Sequence, residues 1–247
     1  MPSKRAQSLG EFLVEKWILL NGIACIILVI LIFLFLVREG ASAFRFTSLK
    51  DFLLGQNWYP VSDPPRFGIL PLILGSLLVT AGALLISLPL GIGSAIFISE
   101  VAPSRLRDWL KSGVELLAAI PSIVIGFIGM TVLAPWIKDL FDLPTGLTAL
   151  TGSITLAFMA MPTIVSITED ALTAVPNAYR EASLALGATR WQTIYRVVVP
   201  SAASGILAAV MLGVGRAIGE TMAVMMVTGN AAVIPQGFLQ SVRTLTA

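Results

Sequence analysis

Charged positions are missing from five long stretches of this chain: residues 17–37, 67–99, 116–137, 143–168 and 197–215. A helix needs about 20 apolar residues to cross the hydrocarbon core of a bilayer, so each stretch is long enough to span. The pattern predicts an all-α, polytopic transmembrane bundle with five spans. The second stretch is too long for one straight crossing. Pro89, Gly91 and Gly93 stand where a break or kink would relieve it, leaving 67–88 to span and 90–99 to bend or emerge. After it, Ser104 can cap a short helix, Arg105 to Lys111, with Leu106, Trp109 and Leu110 apolar among charged neighbours. That reads as a helix lying in the membrane interface, with a plain connecting loop as the alternative.

Composition narrows the chemistry. Of 247 residues 56% are hydrophobic and 12% charged, the latter about half the usual share. With no His, and with Cys25 as the sole cysteine, zinc sites, Cys-His catalysis and disulfide frameworks are excluded. A net charge of +2 does not suggest a nucleic-acid surface. None of the five lysines follows a glycine, so the G-K-[ST] core of a phosphate-gripping loop is absent and any ATP must be bound by another chain. No acid-base or nucleophile cluster points to an enzyme. There is no internal repeat and no separate soluble domain. The chain reads as an anchor helix with an outer loop, 1–66, followed by a membrane domain, 67–247.

The first apolar stretch is too long for a secretory signal and is expected to be a retained anchor. With the N-terminus inside, segments 1–16, 100–115 and 169–196 hold nine basic residues, Lys4, Arg5 and Lys16 among them, against six in 38–66, 138–142 and 230–247. The excess lies in the direction of the positive-inside rule, which predicts a cytoplasmic N-terminus and a multi-pass protein of the inner (cytoplasmic) membrane. Phe44, Phe46, Phe52, Trp58 and Tyr59 of the first outer loop read as interfacial anchors.

Segment 169–200 carries the densest local signal. Pro176 suits the first turn of a helix through Leu186, and Gly187 supplies a left-handed stop. Thr189, with Gln192 three places on, fits a capping box that restarts a helix through Val199, and Pro200 leads into the next span. Two short helices joined at a bend can act as a lever. The string E-A-S-L-A-L-G-A-T-R-W-Q-T-I-Y-R-V-V-V-P, Glu181 to Pro200, resembles the EAA loop of ABC-importer permeases. Glu181, Ala182, Gly187, Ile194 and Pro200 match that pattern; Ser183 replaces its second Ala. The resemblance implies that 177–187 is a coupling helix docking on a cytoplasmic ATPase subunit.

The fifth span, about 201–229, carries two charges, Arg216 and Glu220, whose i, i+4 spacing puts them on one helix face where they can pair. A charge at a helix centre costs about 2.5–3.5 kcal/mol on insertion scales, so both are expected to face a translocation path or another subunit. About 24 Å of helical rise separates Arg216 from Pro200, so its side chain could also reach the outer headgroups. Gly215 and Gly219 form a small-xxx-small pair that permits close approach of another helix. A guanidinium favours an anion through two parallel bonds, and a carboxylate, which only accepts hydrogen bonds, could receive the P–OH of a protonated phosphate. A structural lock between permease subunits is the competing reading of the pair.

The strings at Trp58–Leu77, Ser99–Arg107, Glu115–Gly129 and Gly215–Val224 look like the phosphate-specific branch of these permeases. That resemblance implies alternating access and a heterodimer with a related permease, PstA. It also implies two copies of an ATPase, PstB, holding ATP and Mg, and a phosphate-binding protein outside; this chain would bind no cofactor itself. A permease for phosphonate, sulfate or molybdate, or a channel or transporter working without ATP, remain alternative readings. Such permeases carry a sixth helix, whereas 230–247, with Asn230, Pro235, Gly237 and Arg243, makes a poor span, so the last helix is expected to be missing.

Overall fold

The computed structural model of the protein describes residues 9–247; Lys4 and Arg5, which contribute to the topology argument, lie outside the described residues. Contacts divide the chain into two units. One ends at Leu53 and takes in Tyr59–Phe67; the other is Leu54–Trp58 with Gly68–Ala247.

The first unit is dominated by helix α1, Leu9–Ala41, whose apolar side chains run all round the helix, the signature of a span surrounded by lipid. A 3₁₀ turn, Ser42–Arg45, and helix α2, Leu49–Leu54, follow. Two-residue strands β1, Trp58–Tyr59, and β2, Arg66–Phe67, mark the loop beyond them. The loop aromatics partly pack on one another: the Phe44 and Phe52 ring centroids are 5.1 Å apart, those of Phe46 and Phe67 6.4 Å.

The second unit is a helical bundle built around α7, Ala149–Thr173. Helix α3, Leu70–Ile96, packs along it and continues as a π-helical turn, Phe97–Val101. Of the break or kink expected at Pro89, the break is absent: the helix runs on through it. Pro89 removes one backbone N–H, a loss that membrane helices tolerate with help from neighbouring groups. The chain turns instead at Ala102–Pro103, where the backbone becomes extended. Helix α4 is longer than the sequence predicts, Ser104–Ala119, and Pro103, not Ser104, occupies its N-cap. It is amphipathic, with Trp109 80% exposed and Leu110 packed on the core. The third charge-free stretch is therefore divided at Pro121, and the span begins with α5, Ser122–Ile128, passing through a π turn, Gly129–Leu133, into α6, Ala134–Leu140.

Beyond α7 come α8, Asn177–Ala185, and α9, Arg190–Thr193. A π turn, Ile194–Val198, joins α9 to α10, Val199–Ser201. The chain then bends by 68° into α11, Ala203–Ile218, and ends its helices with α12, Met222–Val227. Among the described residues four helical segments are long and apolar enough to cross a membrane, and the bent pair 190–201 with 203–218 gives a fifth if it counts as one span. The expected single span over 201–229 is interrupted, because α11 stops at Ile218 and Gly219 ends the helix.

Two cores sit at opposite parts of α7. One gathers Val79, Ala83, Leu156, Ala217, Val224 and Val242; the other Ala95, Ile98, Val165, Leu172, Val175 and Val198. The tail 230–247 is not a helix. It folds back on the first core, with Val242 fully buried. The Gln240 and Phe238 carbonyls accept from the Ala149 and Leu150 amides at 2.8 and 2.7 Å. Two N–H groups at the start of α7, which no helical carbonyl can reach, are thereby satisfied. Thr148 completes that cap by accepting from the Thr151 amide.

Candidate functional site

Helix α11 lies on α7 through a row of small residues at four-residue spacing, Gly205, Ala209, Gly213 and Ala217. Ala209 and Ala217 are buried, and a Cβ at Gly213 would come within 2.6 Å of Ile164 Cγ1. This close approach holds Arg216, on the last turn of α11, beside the middle of α7. Its Nε donates to the Met159 carbonyl at 3.0 Å. The rest of the side chain is exposed within the chain, and the two terminal nitrogens have no protein acceptor among the described residues. A guanidinium fixed at Nε with both Nη groups open has the donor geometry for a bidentate anion.

Glu220 does not pair with Arg216. The i, i+4 argument requires a continuous helix, and Gly219 interrupts it, so Glu220 belongs to the start of α12, where its Oε1 accepts from the Ala223 amide at 3.3 Å. Its own carbonyl accepts from the Thr246 hydroxyl at 2.9 Å, tying this corner to the tail. The same break separates Gly215 from Gly219. Gly215 has open space beside it, and the only close atom to a Cβ at Gly219 is the Gly215 carbonyl, so within this chain neither packs a helix. The small-residue row that does pack is the one four positions apart from Gly205 to Ala217. The bend at Ala202 also removes α10 from the axis of α11, so the rise to Arg216 is that of α11 alone, about 20 Å over 13 residues.

A cavity of about 820 Å³ lies between α3, α4, α5 and α7. Apart from Ser94 and Thr155 its walls are apolar, Leu90, Phe97, Ile128 and Phe158 among them. It offers a charged solute nothing.

The bent loop forms as its local chemistry dictates. Pro176 takes the N-cap of α8, one place earlier than expected. Gly187 sits at φ +86°, the left-handed region a Cβ disfavours. Thr189 accepts from the Gln192 amide at 3.3 Å while the Gln192 side chain accepts from the Thr189 amide at 2.9 Å, a complete capping box. Glu181, Ala182 and Gly187 are exposed, as is Leu186 at 90%. Ser183 is half-buried, and its hydroxyl lies 3.0 Å from that of Thr193 across the bend. The departure from Ala at this position therefore adds a tie between the two arms. Pro200 is exposed in α10, next to the 68° bend.

Three ionic contacts unite this end of the bundle. Arg180, on α8, grips Glu100 at the end of α3 through Nη2–Oε1 at 2.6 Å and Nε–Oε2 at 3.3 Å. Lys111, on α4, reaches Glu169 at 2.7 Å and Asp170 at 3.1 Å on α7. The hydrogen bond to Glu169, then that to Asp170, raises the Lys111 ammonium above its ordinary 10.5. Arg107 donates to the Ile98 carbonyl at 2.9 Å and to that of Ser99, satisfying carbonyls where α3 ends. The sequence holds no local signal for these pairs, because the partners are 58 to 80 positions apart.

A bundle of membrane-crossing helices with an anion-competent arginine on one helix and an exposed bent-helix loop at one end defines a membrane transport component. The comparisons place it further. Residues 87–246 match the model of the binding-protein-dependent transport system inner membrane component, and the chain belongs to that family. It is 46% identical over 215 residues to the probable ABC transporter permease protein YqgH of Bacillus subtilis, covering 86% of this chain and 70% of the relative. It is 39% identical over 228 residues to the phosphate transport system permease protein PstC of Mesorhizobium japonicum, covering 85% and 68%. With PstC 2 of Mycobacterium tuberculosis it shares 33% over 251 residues, covering 94% and 76%. Among solved structures, the MetNI methionine ABC transporter in inward-facing conformations aligns with a TM-score of 0.49 at 22% identity, over 62% of this chain and 68% of that one.

Proposed function

We propose that this chain is one permease subunit of an ATP-driven importer that carries inorganic phosphate across the cytoplasmic membrane by alternating access. It is a multi-pass inner-membrane protein with its N-terminus inside and does no chemistry itself. Its partners are a related permease of the PstA type, two PstB-type ATPases that hold ATP and Mg, and an extracytoplasmic phosphate-binding protein. The observation that carries the reading is the Arg216 side chain, fixed at Nε on the Met159 carbonyl with its terminal nitrogens open, in a chain whose relatives include phosphate permeases. Arg216 receives the anion in the path, and Glu220, close by in sequence at the start of α12, accepts the P–OH that distinguishes protonated phosphate from sulfate. Gly215 and Gly219 line the approach to the partner permease, where the chain leaves open space. Glu181, Ala182, Ser183 and Gly187 shape the coupling helix that meets the ATPase, and Pro200 sets the turn into the membrane.

The test is radiolabelled phosphate uptake in a strain lacking its own importer, with this chain and its three partners supplied, and with sulfate, phosphonate and molybdate as competitors. Uptake above the empty strain that phosphate alone suppresses supports the proposal. Uptake blocked equally by another oxyanion would reassign the substrate, and ATP-independent uptake would reassign the class.

A further inference from the structure

Helix α8 is connected to α7 by Ala174, Val175 and Pro176, a linker that by itself would let it swing. What holds it is Arg180. The guanidinium forks onto both oxygens of Glu100, and its remaining hydrogens reach two further carbonyls: Nη2 that of Leu172, in the last turn of α7, at 2.9 Å and Nη1 that of Val175, in the linker, at 2.5 Å. Nη1 also reaches Asn177 Oδ1 at 3.4 Å, at the start of α8 itself. One side chain therefore joins α8 to the ends of both α3 and α7. The pair is largely removed from solvent, with side-chain exposures of 19% for Arg180 and 10% for Glu100, so each charge has little water to fall back on when the other leaves. The Leu172 carbonyl also accepts from the Val175 amide at 3.3 Å, and a cation at this point complements the negative end of the helix.

We propose that Arg180 is the positioning residue that makes the coupling helix and the cytoplasmic ends of α3 and α7 move as one body, so that displacement of α8 reaches the membrane helices and is not lost in the linker. The proposal rests on the coupling role assigned to α8 above. Glu181, the neighbouring residue, faces outward, so docking and transmission are divided between adjacent positions of one helix: the exposed face meets the ATPase and Arg180 faces back to the bundle. Lys would keep the charge but not the fork, since an ammonium offers a single point where this site uses a planar array of donors.

The experiment compares the complete importer in nanodiscs with Arg180→Lys, Glu100→Gln and the double variant. Three quantities are read: ATPase retained on purification, phosphate moved per ATP hydrolysed, and amide exchange of residues 177–185. Glu100→Gln leaves the carbonyl contacts of Arg180 in place, so it keeps the helix folded if Arg180→Lys does not. Each single variant is expected to retain the ATPase, to lower phosphate moved per ATP by about tenfold, and to speed α8 exchange by a similar factor, the scale of a lost charge-assisted hydrogen bond. The double variant should lose no more than the worse single one, because the two residues act as a unit. Unchanged exchange and an unchanged phosphate-to-ATP ratio in both single variants would overturn the proposal. Loss of the ATPase itself in both would also overturn it, by making Arg180 part of the docking face. Failure of the parent complex to move phosphate overturns the functional reading alone, since the exchange comparison uses no substrate.

Discussion

Replacing Gly205 by Ala puts the packing of α11 on α7 to a direct test. A Cβ built at Gly205 lies 2.4 Å from the Ala171 Cβ, a methyl group that has no rotamer to turn away. Ordinary carbon contacts are about 3.5–4.0 Å, so the helices must separate by roughly 1 Å or more at this point. Against that, Ala in place of Gly favours the helix by about 0.8–1.0 kcal/mol. Overpacking costs typically 1–3 kcal/mol, occasionally more. The loss of close contact matters more here than in water, because membrane helices associate chiefly through packing. The net expectation is a destabilisation of up to about 2 kcal/mol, or up to several degrees in melting temperature for a chain of this size. The separation also reaches the candidate site. The Arg216 Nε to Met159 carbonyl distance is 3.0 Å, and a further half-ångström takes it to the limit of a useful hydrogen bond. The assay is thermal unfolding of the purified protein by fluorescence-detected size exclusion, paired with phosphate uptake. Gly215→Ala is the control, since its Cβ would meet nothing within 4 Å and should keep or raise stability. A Gly205→Ala protein as stable as the Gly215→Ala protein would refute the packing argument.

Other changes test the remaining parts. Arg216→Gln should reduce phosphate uptake by about ten- to a hundredfold with the protein still inserted, the scale of a lost bidentate charge-assisted pair; Arg216→Lys retaining full uptake would favour a packing role for the residue. Glu220→Gln keeps an acceptor for the Ala223 amide, so α12 should persist while the preference for phosphate over sulfate falls in competition uptake; an unchanged preference removes Glu220 from the selectivity argument. Gly187→Val forces a β-branched residue to φ +86° and should cost about 1–2 kcal/mol at the bend, read as weaker ATPase retention. For Lys111 the folded pKa is raised above 10.5, so its contribution is complete below the unfolded value and is lost only as pH rises through the folded one. Stability measured between pH 6 and 9 should therefore show no transition from this tie, and Lys111→Met should lower stability evenly across that range.

The legible parts of the fold are those whose cause is local. Charge-free stretches announce spans because the bilayer demands about 20 apolar residues, whatever the neighbours are. Gly187 and the Thr189–Gln192 box announce the bend because a left-handed residue and a reciprocal cap are properties of a few consecutive positions. Arg216 and Glu220 mark the limit of that reasoning. Their spacing implies one helix face only if the helix continues, and Gly219 decides otherwise. The small-residue period is equally present in two registers, Gly205 to Ala217 and Gly215 to Gly219, and the residues that choose between them are Ala171 and Ile164 on another helix. Pro89 breaks no helix, because its lost N–H is one group in a well-packed span, whereas Pro103 and Pro121 do mark turns at the ends of α4. The ion pairs Glu100–Arg180 and Lys111–Glu169 and the return of the tail onto α7 depend on contacts between distant positions, so no window of sequence contains them.

These distant contacts converge on α7. Its N-terminus is capped by the tail, its middle holds Arg216, and its C-terminus is gripped by Arg180. From Met159 to Leu172 is 13 residues, about 20 Å of helix, which separates the Arg216 contact from that of Arg180. Pro162, in the turn after Met159, has no N–H to offer the Phe158 carbonyl, yet α7 runs through it as α3 runs through Pro89. The helix is continuous from Ala149 to Thr173 and packed on α3 and α11. If α8 moves as proposed, Arg180 passes its displacement to α7, the helix whose Met159 carbonyl holds Arg216.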